Sequence, residues 1–316
     1  MIAQALFKVL PVLFLISFGY FLGRRGFFNP AIQGELKQLI VNIALPSSLF
    51  LAFARVRLQS SYFLIIGIMF LACLLVFNGS RRFQSLTKIN SPFFPFLMTG
   101  FEAGMLGYAI FGAVYGQENL YKLGVIDLGQ VTFVFFILVP ALEGFASRSR
   151  PAIQVLLSFL KTPVILAILG GIVLNQSGLF GYLSDFALFQ SLLSALTMLA
   201  SLTTPLVALV IGSEIRLNFA QLKAPLRTSL LRLGVWVPSA VLFSLLVVRN
   251  LLGLDPVFQA AVLTMAILPP PYVIPLYMGA GQPEDQAYVV NTLSLYTLIT
   301  LFAYVLITIL LPPGSS

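Results

Sequence analysis

Three consecutive prolines, Pro269 to Pro271, stand between Leu268 and Tyr272 inside an apolar stretch, Phe258 to Met278, that is long enough to cross a bilayer. Proline inside a helix costs about 3 kcal/mol, and a backbone carbonyl left unpaired in hydrocarbon adds to that cost. The helix must break here. Broken backbone at membrane depth survives only where protein or a water-filled cavity surrounds it, and in secondary transporters such breaks form the substrate site. A break of this kind calls for a partner elsewhere in the chain.

The composition sets the surroundings. With 59% hydrophobic and 9% charged residues and a mean hydropathy of +1.00, the chain is an integral membrane protein, since soluble domains carry about 25% charged residues. Its 316 residues hold about ten spans of roughly 20 residues and leave no room for a soluble domain. The net charge of +8 reads as a set of topology signals in loops, with no nucleic-acid partner expected. Cys73 is the only cysteine and there is no histidine, which excludes disulfides, zinc sites and Cys/His catalysis; neither a metal nor an organic cofactor is expected. No basic region precedes the first apolar run and Arg24-Arg25 follow it, so it reads as a first span and not as a cleaved signal peptide.

The predicted spans run at about 2–23, 36–54, 60–78, 92–116, 122–142, 155–175, 190–212, 228–248, 256–281 and 285–311. Loops after spans 1, 3, 5 and 7 hold Arg24, Arg25, Lys37, Arg81, Arg82, Lys88, Arg148, Arg150, Lys161, Arg216, Lys223, Arg227 and Arg232. The opposite side holds only Arg55, Arg57, Lys122 and Arg249. That bias predicts cytoplasmic odd-numbered loops and both termini on the non-cytoplasmic side. The cluster Arg216, Lys223, Arg227 and Arg232 also suits anionic membrane lipid, although orientation alone explains it, and Lys8 lies close enough to the outer surface to snorkel.

Five spans followed by five spans give two halves of opposite orientation, and an offset of 164 residues supports such a repeat. It carries Ser91-Pro92 onto Asp255-Pro256, Phe94 onto Phe258, Gly107 onto Pro271, Tyr108 onto Tyr272, Asp127 onto Asn291 and Gln130 onto Ser294. Earlier in the chain Pro46 pairs with Pro205 and Pro11 with Pro163. Span 4 thereby becomes the partner of span 9. It holds Gly100, Gly104 and Gly107 around Glu102. Gly100 and Gly104 also form a GxxxG pair, a common packing motif, but a carboxylate at mid-depth costs at least about 2.5 kcal/mol and marks a functional site by default. Half-helices starting after each break would aim positive N-terminal dipoles at the cavity, which suits an anion.

Other polar residues admit two readings. Desolvation penalises the charged form of Glu102, which makes it a candidate proton or cation carrier or substrate contact, against a role in capping freed backbone. Asp127 and Gln130 lie three apart, on one helical face; Asp127 takes part in coupling or else sits near the membrane surface. Asn42, Asn291 and Ser294 line a coupling-ion site or satisfy neighbouring backbone. Tyr108 and Tyr272 stack on an organic substrate or pack in the core.

Leu36 to Pro46, reading Leu-Lys-Gln-Leu-Ile-Val-Asn-Ile-Ala-Leu-Pro, resembles the second-span motif of the auxin efflux carrier family, which includes plant auxin exporters and bacterial malate or malonate permeases. Gly104-Met105-Leu106-Gly107 resembles its fourth-span motif, and Pro269-Pro270 with Asn291-Thr292-Leu293-Ser294 resembles its last two spans. Glu102 stands where the family usually has asparagine, and Ala109 where it has proline. The resemblance implies an all-α fold of ten transmembrane helices, similar to that of bile-acid transporters, in two inverted five-helix repeats with helices 4 and 9 broken where they cross. Residues 1–58 and 152–215 would form a scaffold domain, often a homodimer surface, and residues 59–151 and 216–316 a transport domain. It also implies a secondary carrier of a small organic anion, auxin-like or a dicarboxylate, working by elevator or rocking alternating access and linked to H+ or Na+. Glu102, Gly104, Gly107, Tyr108, Pro269, Pro270, Pro271 and Tyr272 would meet the substrate; Glu102, Asp127, Gln130, Asn42, Asn291 and Ser294 would serve coupling. A sodium-coupled symporter of the bile-acid type and a channel-like permease are the alternatives. An enzyme is not expected, for the chain lacks Gly-x-Ser-x-Gly and HExxH patterns, and no P-loop suggests ATP-driven transport.

Overall fold

The computed structural model describes residues 2–56, 59–145, 151–215, 221–278 and 283–312. These residues form helices and connections without a strand. In chain order the main helices are α1 (Ile2–Arg24), α2 (Pro30–Ala54), α3 (Ser61–Thr87), α4 (Ala103–Tyr115), α5 (Gln117–Gly144), α6 (Ala152–Leu160), α7 (Pro163–Gln176), α8 (Ala187–Glu214), α9 (Lys223–Leu251), α10 (Pro256–Ile267) and α11 (Pro283–Leu310). Among the described residues six of them, α2, α3, α5, α8, α9 and α11, are long and apolar enough to cross a membrane, or seven spans if α6 and α7 count as one. The shorter apolar helices α4 and α10 flank the two breaks anticipated at Glu102 and at the prolines.

Local chemistry sets the ends. Asn29 accepts from the amide of Ile32 at 2.9 Å and Pro30 opens α2; Asp255 accepts from Val257 and Phe258 and Pro256 opens α10. Pro46 and Pro140 have no N–H to donate one turn back, and a wider π turn lies directly before each, at Ile40–Ala44 and Val134–Leu138. Many serine and threonine hydroxyls inside the helices return to the carbonyl four residues earlier, as Ser47 does to Ile43 and Thr297 to Leu293, which pairs them locally in the apolar interior.

The outside is apolar and the inside holds the polar groups. Phe7, Phe14 and Leu188 are exposed, whereas Asp127, Gln130 and Arg232 are buried. α1 packs on the second half of α8, where Gly19, Gly23 and Gly212 bring main chain against main chain. α7 packs on the second half of α2 in the same manner, with Gly171 against Phe50 and Ala54. α3 packs on α5, and α9 on both α10 and α11.

Several expectations need correcting. Arg232, assigned to a loop, lies within α9 and is fully buried. Lys37 lies within α2, and Lys161 sits at the elbow where α6 and α7 meet at 64°. Pro163 opens α7 there and cannot continue α6. Asp127 is buried within α5. Arg57, Arg148, Arg150, Arg216 and the side chain of Lys8 lie outside the described residues.

Candidate functional site

The two breaks meet, and each supplies what the other lacks. At the first break only one short turn, Phe94–Leu97, precedes the point where the chain leaves the helix at Met98 and restarts in α4. Gly100 makes that exit with φ +67°, a left-handed conformation that suits a residue without Cβ. In the second break α10 ends at Ile267, and Pro269 to Pro271 then contribute carbonyls but no N–H. The first amide after the prolines belongs to Tyr272, and it donates to Glu102 Oε2 at 2.7 Å. Glu102 Oε1 accepts from the amide of Met105 at 3.0 Å, in the first turn of α4. The amide of Glu102 in turn donates to the Pro269 carbonyl at 2.8 Å. One glutamate thus bridges both breaks with its main chain and with both carboxylate oxygens.

Further freed groups also find partners, as a buried backbone requires. The Phe101 amide donates to Gln130 Oε1 at 3.1 Å and the Gly107 amide to the Glu102 carbonyl at 3.1 Å. Gln130 Nε2 donates to Asp127 Oδ1, and the Tyr108 hydroxyl donates to Asp127 Oδ2 at 2.8 Å. On the carbonyl side Arg232 donates to Leu97, Gly100 and Leu268, Trp236 Nε1 to Met98 at 2.8 Å, and the Thr300 hydroxyl to Ile267. Carbonyl ends of the broken helices therefore face a cation, and amide starts face an anion.

Two cavities flank the crossing. One, of about 420 Å³, is lined by Glu102, Gly104, Asp127, Gln130 and Pro271 together with apolar side chains of α5, α6 and α7. The other, of about 310 Å³, is lined by Tyr272, Ser294 and Thr297 on one side and by Gln33, Lys37 and Glu214 on the other. Lys37 and Glu214 form an ion pair on that wall, joining α2 to the end of α8.

Most of the residues singled out in the sequence come together here. Pro269 and Pro270 are buried at the crossing, Pro271 and Gly104 reach the first cavity, and Gly107 abuts Leu268. Tyr108 is buried on Asp127, and the Tyr272 hydroxyl pairs with Thr297 at 2.7 Å. Asn291 is buried in α11 and Ser294 lines the second cavity. Asn42 joins neither cavity and its side chain is exposed. Among the described residues no symmetric pair of half-helix dipoles is formed. Among the described residues, only the single turn Ile274–Tyr277 follows the second break, and the amides that an anion would use are taken by Glu102. Arg232, Trp236 and Thr300 were missed: a lone arginine near a predicted loop carries the same text as a topology signal.

Comparison with known proteins agrees with this picture. Residues 4–152 match a family model described as "Membrane transport protein". The chain is similar to the uncharacterized transporter YfdV of Escherichia coli (strain K12), with 23% identity over 181 residues covering 50% of this chain and 54% of that protein. It is also similar to the uncharacterized transporter MJ1031 of Methanocaldococcus jannaschii, with 27% identity over 215 residues covering 65% of this chain and 67% of that protein. The chain thus spans about half the length of the E. coli protein it matches.

Proposed function

We propose that the chain, which is similar to membrane transport proteins and resembles the auxin efflux carrier family, is a secondary carrier that moves a small organic anion together with a proton. The observation that carries this reading is the Glu102 carboxylate bridging the Met105 and Tyr272 amides at the wall of the first cavity. An ionised Glu102 holds the donors that a substrate carboxylate needs. Protonation weakens its grip on them, so a substrate anion enters as a proton is taken up. The pair is released together when the site opens to the other side.

The architecture proposed for this cycle is ten spans in two inverted repeats, with residues 1–58 and 152–215 as scaffold and the rest as transport domain. Its support is a matched pattern of packing. Under the repeat, spans 1 and 2 exchange with spans 6 and 7, and the packing of α1 on α8 has its counterpart in α7 on α2. The packing of α3 on α5 likewise has its counterpart in α9 on α11. The basic loops favour termini on the non-cytoplasmic side.

The test uses proteoliposomes loaded with a pH-sensitive dye and a panel of carboxylates that includes malate and indole acetate. One acid is expected to cause saturable acidification of the lumen with wild-type protein. Glu102→Gln is expected to abolish that acidification while substrate exchange across the membrane persists. A solute flux that does not saturate would favour a channel, and a flux that requires sodium would favour a sodium symporter. A second reading, an organic cation as substrate, rests on the first cavity being lined by Glu102 and Asp127 without a lysine or arginine. Saturable exchange of a cation, with no response to any carboxylate, would select it.

A further inference from the structure

Arg232 is the largest fully buried side chain among the described residues, and none of their carboxylates pairs with it. Its guanidinium is held instead by main chain and rings. One terminal nitrogen donates to Leu97 at 3.0 Å, and the other to Gly100 and to Leu268, the latter at 3.3 Å. Two of those carbonyls come from the first break and one from the second. The rings of Phe101 and Tyr296 lie 4.7 and 5.3 Å from the guanidinium carbon. Trp236, one turn along α9, takes the Met98 carbonyl between them.

Unwound carbonyls and the C-terminal ends of half-helices are the groups that coordinate sodium in carriers with broken helices, because their dipoles converge on a point. Here that point is occupied. We infer that Arg232 is the resident cation of the crossing: its guanidinium fills the carbonyl cluster at which an alkali cation would otherwise bind, so the crossing takes no sodium. Both breaks and α9 carry this charge as one unit. It is anchored by a covalent side chain and does not exchange with solvent. The cation therefore contributes to the fold of the site without contributing an ion to the transport stoichiometry. This inference narrows the coupling ion of the proposed carrier, but the geometry behind it is independent of what the carrier moves.

The experiment reads binding and stability, so it is separable from the transport assay. Purified wild-type protein is dialysed against radioactive sodium, and its unfolding midpoint is followed through Trp236, the single tryptophan. Sodium, potassium and N-methylglucamine chlorides are compared at equal ionic strength. Wild type is expected to bind no sodium and to show one midpoint in all three salts. Arg232→Ala is expected to unfold at a lower temperature and to regain its midpoint saturably with millimolar guanidinium, far below denaturing concentrations. Arg232→Met fills the space with an apolar chain and is expected to gain nothing from guanidinium. Where Arg232→Ala yields no folded protein, Arg232→Gln keeps amide donors without the charge and is expected to acquire sodium binding. Sodium binding to wild type, or a midpoint specific to sodium, overturns the proposal. So does an Arg232→Ala protein that no cation stabilises, or an Arg232→Gln protein that gains no sodium.

Discussion

Gly100→Ala yields little or no folded protein. Gly100 sits at φ +67°, where a Cβ costs about 1–2 kcal/mol. A Cβ built there lies 2.6 Å from Cγ of Pro271 and 3.3 Å from Val134. The proline ring cannot turn aside, because Pro271 is buried at the end of the rigid triplet. Overpacking of this kind adds about 1–3 kcal/mol, which brings the cost to about 2–5 kcal/mol, a large part of a typical stability of about 5–15 kcal/mol. Gly104→Ala is the control. Its Cβ would meet only Glu102 Oε1 at 3.7 Å, and the backbone there is helical. The midpoint of Gly104→Ala is expected to stay near that of wild type, whereas Gly100→Ala elutes as aggregate or melts far lower in size-exclusion and thermal unfolding experiments. Equal behaviour of the two variants would show that the breaks do not pack as tightly as described.

Asp255→Ala is expected to destabilise more than Lys122→Ala, although the two residues form one ion pair. Lys122 Nζ lies 2.6 Å from Asp255 Oδ2, with the rings of Tyr121 and Phe258 beside it. The lysine side chain is 7% exposed and the aspartate 38%. Removing the aspartate deletes the cap on the Val257 and Phe258 amides, worth about 1 kcal/mol, and leaves a nearly buried ammonium without its partner. The exposure of Asp255 reduces the second contribution, so a total of about 2–4 kcal/mol is expected. Removing the lysine leaves a capped aspartate that water can reach, at a cost of about 1 kcal/mol. Thermal unfolding of both single variants and of the double variant measures the asymmetry. Equal losses would mean that the pair acts only as a surface contact.

The parts of this site that were legible in the sequence are those whose physics is local. The proline triplet breaks its helix wherever it is placed, and Gly100 and Gly107 announce close approach. A spacing of three puts Asp127 and Gln130 on one face, and they bond to each other. The parts that were not legible depend on long-range pairing. Nothing local tells Arg232 from a loop arginine, since its acceptors are carbonyls 135, 132 and 36 residues away. Lys122 finds Asp255 across 133 residues. The repeat offset hinted at symmetric half-helices, yet the half before the first break is one turn long, because the chain spends Met98 to Glu102 in the exit itself. Glu102 was recognised as costly, but its two amide partners emerge only once the chain is folded.

The glycine contacts between α1 and α8, and between α7 and α2, restrict what this molecule can do mechanically. At Gly19, Gly23, Gly212 and Gly171 main chain touches main chain with no side chain between. A slide of one residue along either pair would drive a neighbouring side chain, such as Phe18 or Tyr20, toward the backbone opposite. These two pairs are keyed joints. They transmit a push without yielding to it, so any large displacement must be taken up where elements meet through side chains alone. A joint of that kind can be read from alanine variants at single glycines, and it divides the molecule by stiffness before any motion has been observed.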